Sequence, residues 1–282
     1  MSSRKKVIYT CITGEYDGLY NHQYVDEEWD YVCFSDSVVQ TDLNSSWRIL
    51  PLKDKSFDDQ RINRWHKINA HLCVGDYEDS IYIDGNIDIL SKDFFDEIKK
   101  QKELSSIFSV MAHPARDCLY QEALACIELG KDTSKNIEPQ MEVYRRDRYP
   151  EHNGLYTNSI LYRKHNNKKV IKMMNEWWTQ LRDYSRRDQL SLPYIFWKNK
   201  FKPHILPFSY DIGKVGPLFY YPHTVHLRGY VRDLYEQIET LTRKEKSIKN
   251  DLESIESRLA LIEESRLWRL RGRLMDMLRK IN

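Results

Sequence analysis

The segment SIYIDGNIDIL, residues 80 to 90, carries the strongest local signal for chemistry in the chain. Its apolar first half reads as a buried strand that ends on Asp84, Gly85 and Asn86, and in open α/β sheets ligands gather at that end. A carboxylate and a second oxygen two residues apart can face one hard divalent cation, Mn2+ or Mg2+, and a glycine between them permits a tight bend and close approach of a diphosphate. Read alone, Asp-Gly-Asn is also an ordinary turn.

A diphosphate leaving group needs positive charge besides a metal. Residues 61 to 74 (RINRWHKINAHLCV) fit a helix with Ile62, Trp65, Ile68 and Leu72 on one face and Arg61, Arg64, Lys67 and His71 as a neighbouring stripe. Arg64 and Lys67 are the best placed of these by spacing, with a solvated helix face as the competing explanation. His223 and His226 lie three apart in YYPHTVHLRG, and a neutral imidazole is a further ligand for Mn2+ or a donor to phosphate. In SRRDQLSLPY (185 to 194), Ser185 reads as an N-cap with Asp188 three residues on, although Pro193 points to a kink or a later start. A functional reading presents Asp188 and Gln189 towards a sugar. In MAHPARDCLYQEA (111 to 123), His113 falls at a strand end, and Arg116, Tyr120 and Glu122 lie on or near the following helix.

These residues must be positioned by short buried strands at 7 to 13, 31 to 36 and 80 to 86, further strands at 106 to 112 and near 155 to 163, and helices at about 117 to 129 and 168 to 182. Alternation of this kind predicts an α/β sandwich with a largely parallel sheet. The 282 residues suffice for a sizeable core, and 41% hydrophobic with 12% aromatic residues excludes a disordered or collagen-like chain. A net charge of +2 gives no argument for a nucleic-acid binder. No run is long enough for a membrane span, and the apolar stretch VIYTCIT near the N-terminus is too short for a signal peptide. Five scattered cysteines without a CxxC pair suggest reduced thiols in a cytoplasmic protein. No dinucleotide, P-loop, serine-hydrolase or zincin motif occurs.

After Tyr230 the pattern changes. Leu234, Ile238, Leu241, Ile248, Leu252, Ile255, Leu259 and Ile262 recur at steps of three and four, broken once at Glu245, which predicts a coiled coil and a homo-oligomer. A helix folded back on the globular domain is the alternative. The final segment SRLWRLRGRLMDMLRK is basic and amphipathic, which suits contact with an anionic membrane surface or a plain bundle-forming tail.

The runs YTCITGEYD, WDYVCFSD, KINAH, YIDGNI, HPARDCLYQEA, the WW pair at 177 to 178 and RRDQLSLPY resemble the family catalogued as domain of unknown function 616, over roughly residues 7 to 200 and in the right order. That family is grouped with nucleotide-sugar glycosyltransferases of the GT-A fold, and includes plant cell-wall and mucilage proteins and bacterial polysaccharide-cluster proteins. The resemblance implies a GT-A-like domain over 1 to 228, a Rossmann-type sandwich, followed by a helical tail over 229 to 282. It implies a donor-sugar site at the strand ends, with Asp84 and Asn86 standing where a DxD motif would be; the Asn in place of a second carboxylate departs from the pattern. The Asp188-Gln189 pair is similar to a DQ motif of retaining galactosyltransferases.

On this reading the expected donor is a nucleotide-diphosphate sugar, most simply a UDP-sugar, and the acceptor a hydroxyl of a glycan or lipid-linked chain. Thr10, Thr13, Tyr16 and Asp36 are expected to bind uracil and ribose, and Asp84, Gly85, Asn86, Arg64 and Lys67 the diphosphate. Arg64, Lys67, Asp188 and Gln189 are the expected catalytic residues. Asp84, Asn86, His223 and His226 are the expected metal ligands, and His113, Arg116, Tyr120 and Glu122 the acceptor or sugar contacts. The expected location is the cytoplasm or the inner face of a membrane. Two rival readings stay open: a metal-assisted hydrolase of a glycoside or lipid amide using Asp84, Asp188 and a histidine, and a non-enzymatic glycan-binding scaffold.

Overall fold

A computed structural model describes residues 6–37, 45–264 and 266–280, apart from the side chains of 226–236, 239, 263 and 266–268. In chain order the elements are β1 (Lys6–Ile12), β2 (Trp29–Ser35), β3 (Trp47–Leu50), α1 (Asp59–Ile68), α2 (Ala70–Cys73), β4 (Asp79–Ile83), β5 (Ile87–Ile89) and α3 (Asp93–Glu103). They continue with β6 (Phe108–Ala112), α4 (Leu119–Glu128), α5 (Ser134–Arg146), β7 (Tyr156–Arg163), α6 (Lys168–Asp183), a 3-10 turn at Asp188–Leu190, α7 (Leu192–Lys198), β8 (His204–Leu206), β9 (Gly213–Val215), β10 (Leu218–Tyr220), α8 (Thr224–Glu264) and α9 (Arg266–Arg279).

The central sheet has the order β3-β2-β1-β4-β7-β6-β8. β1 to β4 run parallel, and β7 alone runs against its neighbours β4 and β6. Alternation along β1 assigns its side chains to two cores: Val7, Tyr9 and Cys11 face one, Ile8 and Ile12 the other. The first is completed by apolar faces of α1 and α4 to α7, including the fully buried Trp177 of α6. The second is covered by Phe94, Phe95 and Ile98 of α3 and by Ile87, Ile89, Leu218 and Tyr220 from the small sheet β5-β10-β9. All five cysteines are buried and none forms a disulfide.

The helix expected over 61 to 74 breaks at Asn69, whose N–H donates to Trp65 O and whose own carbonyl accepts from Leu72 and Cys73. The break turns Leu72, expected on the apolar face, out to solvent. It also ends α1 inside the protein, where its last carbonyls need partners. Arg163, at the end of β7 and fully buried, supplies them: its guanidinium donates to Lys67 O at 2.7 Å and to Ile68 O at 3.2 Å. It also bonds the Tyr9 hydroxyl, which itself donates to Lys67 O at 2.8 Å. A cation at a helix C-terminus is favourable to the helix dipole as well.

The chain divides into two compact units, residues 1–225 and 226–282. The second consists of the continuation of α8, a helix of 41 residues in all, and α9. Among the described residues no helix is long and apolar enough to cross a membrane.

Arg163→Met keeps much of the side-chain volume but leaves the end of α1 without its donors. Unpaired buried carbonyls predict a loss of about 2–4 kcal/mol. Urea unfolding checks this, and a change below about 1 kcal/mol would show that α1 finds other partners.

Candidate active site

The end of α1, the end of β4 and the 3-10 turn before α7 converge on one group of charges. Lys67 Nζ lies 2.8 Å from Asp188 Oδ2 and 3.4 Å from Asp84 Oδ1, and Arg64 Nε lies 3.5 Å from the same Asp188 oxygen. The Lys67 ammonium also sits 4.9 Å from the centre of the Tyr82 ring. The side chains of Lys67 and Asp188 are 2% and 4% exposed, whereas that of Asp84 is 25% exposed. Asp84 is therefore the carboxylate of the group that reaches solvent. The stripe on α1 is no solvated face.

Burial opposes ionisation of Asp188, but Arg64, Lys67 and Arg187 outweigh it and hold the carboxyl well below the usual carboxylate range. Burial likewise works against the Arg64 charge, and Asp188 and Asp84 reverse the balance, raising its pKa. The turn carrying Asp188 is fixed from both sides. The Asp188 carbonyl accepts from the Trp177 indole at 3.2 Å, and Asp132 accepts from Ser185 Oγ at 2.7 Å and Arg186 N at 3.0 Å. Ser185 thus braces this loop against Asp132, and α7 starts later, at Leu192 with Pro193 in its first turn.

Gly85 allows the turn after β4 to pack closely. A Cβ there would come within 2.9 Å of Ile12 Cδ1 and 3.6 Å of Asp17 Cβ. Asp17, a residue absent from the sequence-based site, holds His223 Nδ1 at 2.9 Å and accepts from Thr224 N at 3.2 Å. Burial lowers the His223 pKa, but Asp17 and then Asp84 more than offset this and raise it overall, while Arg64 opposes. The His223 ring lies 4.9 Å from that of Tyr16.

The expected cation ligands are not gathered into one shell. Asn86 is buried with its amide donating to Tyr221 O at 2.7 Å, so it latches the β4–β5 turn to the residue after β10. His223 is engaged by Asp17, and the His226 side chain lies outside the described residues. Among the described residues no three His, Cys, Asp or Glu side chains form a cation-binding group. Asp84 is an open carboxylate with Lys67 beside it, and the buried Asn86 Oδ1 has no hydrogen-bond partner among the described residues.

Of the expected base and ribose contacts, Tyr16 and Asp36 are exposed at strand ends. Thr10 is instead fully buried in the middle of β1 and cannot reach a ligand, and Thr13 is nearly so, donating to Asp59 O at 2.8 Å. Among the acceptor residues, Arg116 Nε donates to the buried Glu122 at 2.6 Å, and His113 Nε2 lies 3.9 Å from the same carboxylate. His113 Nδ1 accepts from the Ala115 and Arg116 N–H groups, which directs its other nitrogen to Glu122. Cys126 connects this trio to the ion cluster, with its thiol 3.5 Å from Glu122 and Arg187 beside it. Arg187 in turn donates to Gln189 Oε1 at 2.9 Å. Tyr120 is not part of the trio; its hydroxyl donates to Tyr149 O at 2.9 Å.

Buried cations and one open carboxylate thus lie together near the carboxyl end of β4, the end of a parallel sheet at which α/β proteins hold ligands. Residues 1–210 match the family described as TOD1/MUCI70, glycosyltransferase-like domain, and the chain belongs to that family. Two solved structures are similar at low identity. The WbbM bifunctional glycosyltransferase in its apo form shares 9% identity with a TM-score of 0.45, over 73% of this chain and 39% of that one. Mouse xyloside xylosyltransferase 1, also apo, shares 7% with a TM-score of 0.32, over 68% and 79%. No curated protein sequence matches the chain.

Two outcomes follow. Asp188→Asn leaves Lys67 and Arg64 buried short of counter-charge and costs about 3–5 kcal/mol near neutral pH. Because the folded pKa of Asp188 is depressed, its contribution is full above the unfolded carboxyl value of about 3.9 and is lost as pH falls below that. Denaturant titrations of both proteins should show a gap that narrows in acid; a gap independent of pH would contradict the ion-pair account. Second, Mn2+ titrated alone should give no saturable binding in the micromolar range by calorimetry, and a tight stoichiometric site would overturn the reading of the donor set.

Proposed function

We propose that the protein transfers a glycosyl group from a nucleotide-diphosphate sugar, most simply a UDP-sugar, to a hydroxyl of a glycan or lipid-linked acceptor. The observation that carries this is the buried Lys67 held between Asp188 and Asp84, with Arg64 beside it, at the strand ends. In such a transfer the bond between the anomeric carbon and phosphate breaks with its electron pair going to the diphosphate. A new bond then forms to the acceptor oxygen, whose proton is released. Charge develops on the departing phosphate, and cations fixed in advance in a dry site stabilise it without reorganisation.

Lys67 and Arg64 supply that charge in this mechanism, and His223, poised towards its charged form by Asp17, adds a donor on the same side. Asp188 orients the two cations. Glu122, Arg116 and His113, joined to the cluster through Cys126 and Arg187, are the proposed acceptor or sugar contacts. The hydrolase reading requires a carboxylate ready to take a proton from water. Asp188 is paired twice and held below the usual carboxylate range, which makes it a poor base and leaves that reading to Asp84 and a histidine.

A panel of nucleoside diphosphates should include at least one that raises the melting temperature, since a ligand of the folded state stabilises it by mass action. With that nucleotide as its sugar conjugate and a glycan acceptor, Arg64→Gln, which removes one of the two cations, should lose about 100-fold or more in turnover. Full activity in Arg64→Gln, or no stabilising nucleotide in the panel, would contradict the assignment.

A further inference from the structure

Along α8, Ile238, Leu241, Ile248, Leu252, Ile255, Leu259 and Ile262 are all at least half exposed, although their heptad spacing places them on one seam. In that heptad the a positions are Ile238, Glu245, Leu252 and Leu259, and the d positions are Leu241, Ile248, Ile255 and Ile262. The flanking g positions include Lys244, Asp251 and Arg258, and the e positions Lys249 and Glu256.

A parallel pair of these helices is opposed on two counts. Glu245 would face the same residue of the other copy inside the apolar seam. Among the described side chains, Lys244 would meet Lys249 and Asp251 would meet Glu256 across the interface, each twice by symmetry.

Reversing one helix removes the like-charge contacts. With Leu252 layered on Ile255 of the other copy and Ile248 on Leu259, Glu245 moves out of the four central layers to the end, opposite Ile262, and Ile238 and Leu241 lie beyond the paired stretch. In antiparallel pairs g positions meet g positions and e positions meet e positions. Asp251 then faces Arg258 and Lys249 faces Glu256, giving four attractive contacts per pair. We infer that α8 is an antiparallel self-association element whose occupant is the same helix of a second copy of this chain, with its direction set by the charges at 249, 251, 256 and 258. This inference is independent of the proposed catalytic reaction.

Analytical ultracentrifugation of the full chain tests it. The wild type should sediment as a dimer in concentration-dependent equilibrium with monomer. Asp251→Lys places like charges at two of the antiparallel contacts and should weaken the dimer about tenfold or more. Adding Arg258→Asp to it should restore the affinity, since both charges are then exchanged. In a parallel pair Asp251→Lys would instead relieve the clash with Glu256 and tighten association. A monomer at all concentrations, a tetramer, an unchanged or tighter Asp251→Lys dimer, or a double variant that stays weak would each overturn the inference. Asp251 and Arg258 lie outside the family-matched residues 1–210, so a change in assembly reads separately from any loss of the transfer site.

Discussion

Holding Lys67 charged inside the protein is the constraint on which the surrounding architecture depends. Removing an ammonium and a carboxylate from water costs several kcal/mol per ion, and their attraction offsets this only with good geometry and further hydrogen bonds. The contacts around the pair meet that requirement. Arg163 and Tyr9 fix the main chain of Lys67 by its carbonyl, while Trp177 and Asp132 fix the turn that carries Asp188. Four separate elements, β1, α1, β7 and α6, are thereby committed to positions within one ion pair.

The same arrangement divides the labour among the carboxylates. Asp188 is spent on its two cations, whereas Asp84, at the end of β4, reaches solvent and meets Lys67 only at 3.4 Å. A ligand bearing negative charge at this place can draw on Lys67 and Arg64 without first assembling them, which is the form of preorganisation that stabilises a departing anion. Membership of the TOD1/MUCI70 glycosyltransferase-like family agrees in kind with such a site.

Much of this was legible in the sequence because β-strand runs and their terminal residues are local patterns. The strands ending near Ser35 and Ile83 and the helix from Lys168 could be read from spacing, and Arg64, Lys67, Asp84 and Asp188, singled out in the sequence, lie together in the fold. What escaped depends on contacts distant in the chain. Arg163 looks like any residue closing a strand, and only the packing of β7 against the end of α1 shows its role. Asp17 sits in a polar turn whose partner, His223, is 206 residues away. The hydrogen bond from the Asn86 amide to Tyr221 O was not legible either, since it depends on β10 pairing with β5. Thr10 was misplaced for a simpler reason: it lies inside β1, opposite Cys33 of β2, and is fully buried. The parallel character of the sheet was expected correctly, and the reversed β7 was not, since a strand's direction leaves no mark on its own composition.

Hydrogen–deuterium exchange with and without a stabilising nucleoside diphosphate tests the central claim most directly, because it reports where the ligand acts without relying on turnover. The account predicts slowed exchange at the Asp84–Asn86 turn, at the loop from Gly14 to Gly18 and at the C-terminal end of α1, with little change along α3 on the other face of the sheet. Protection confined to other segments, with the turn and the end of α1 unaffected, would show that the buried cation cluster is a structural device and that the ligand binds elsewhere.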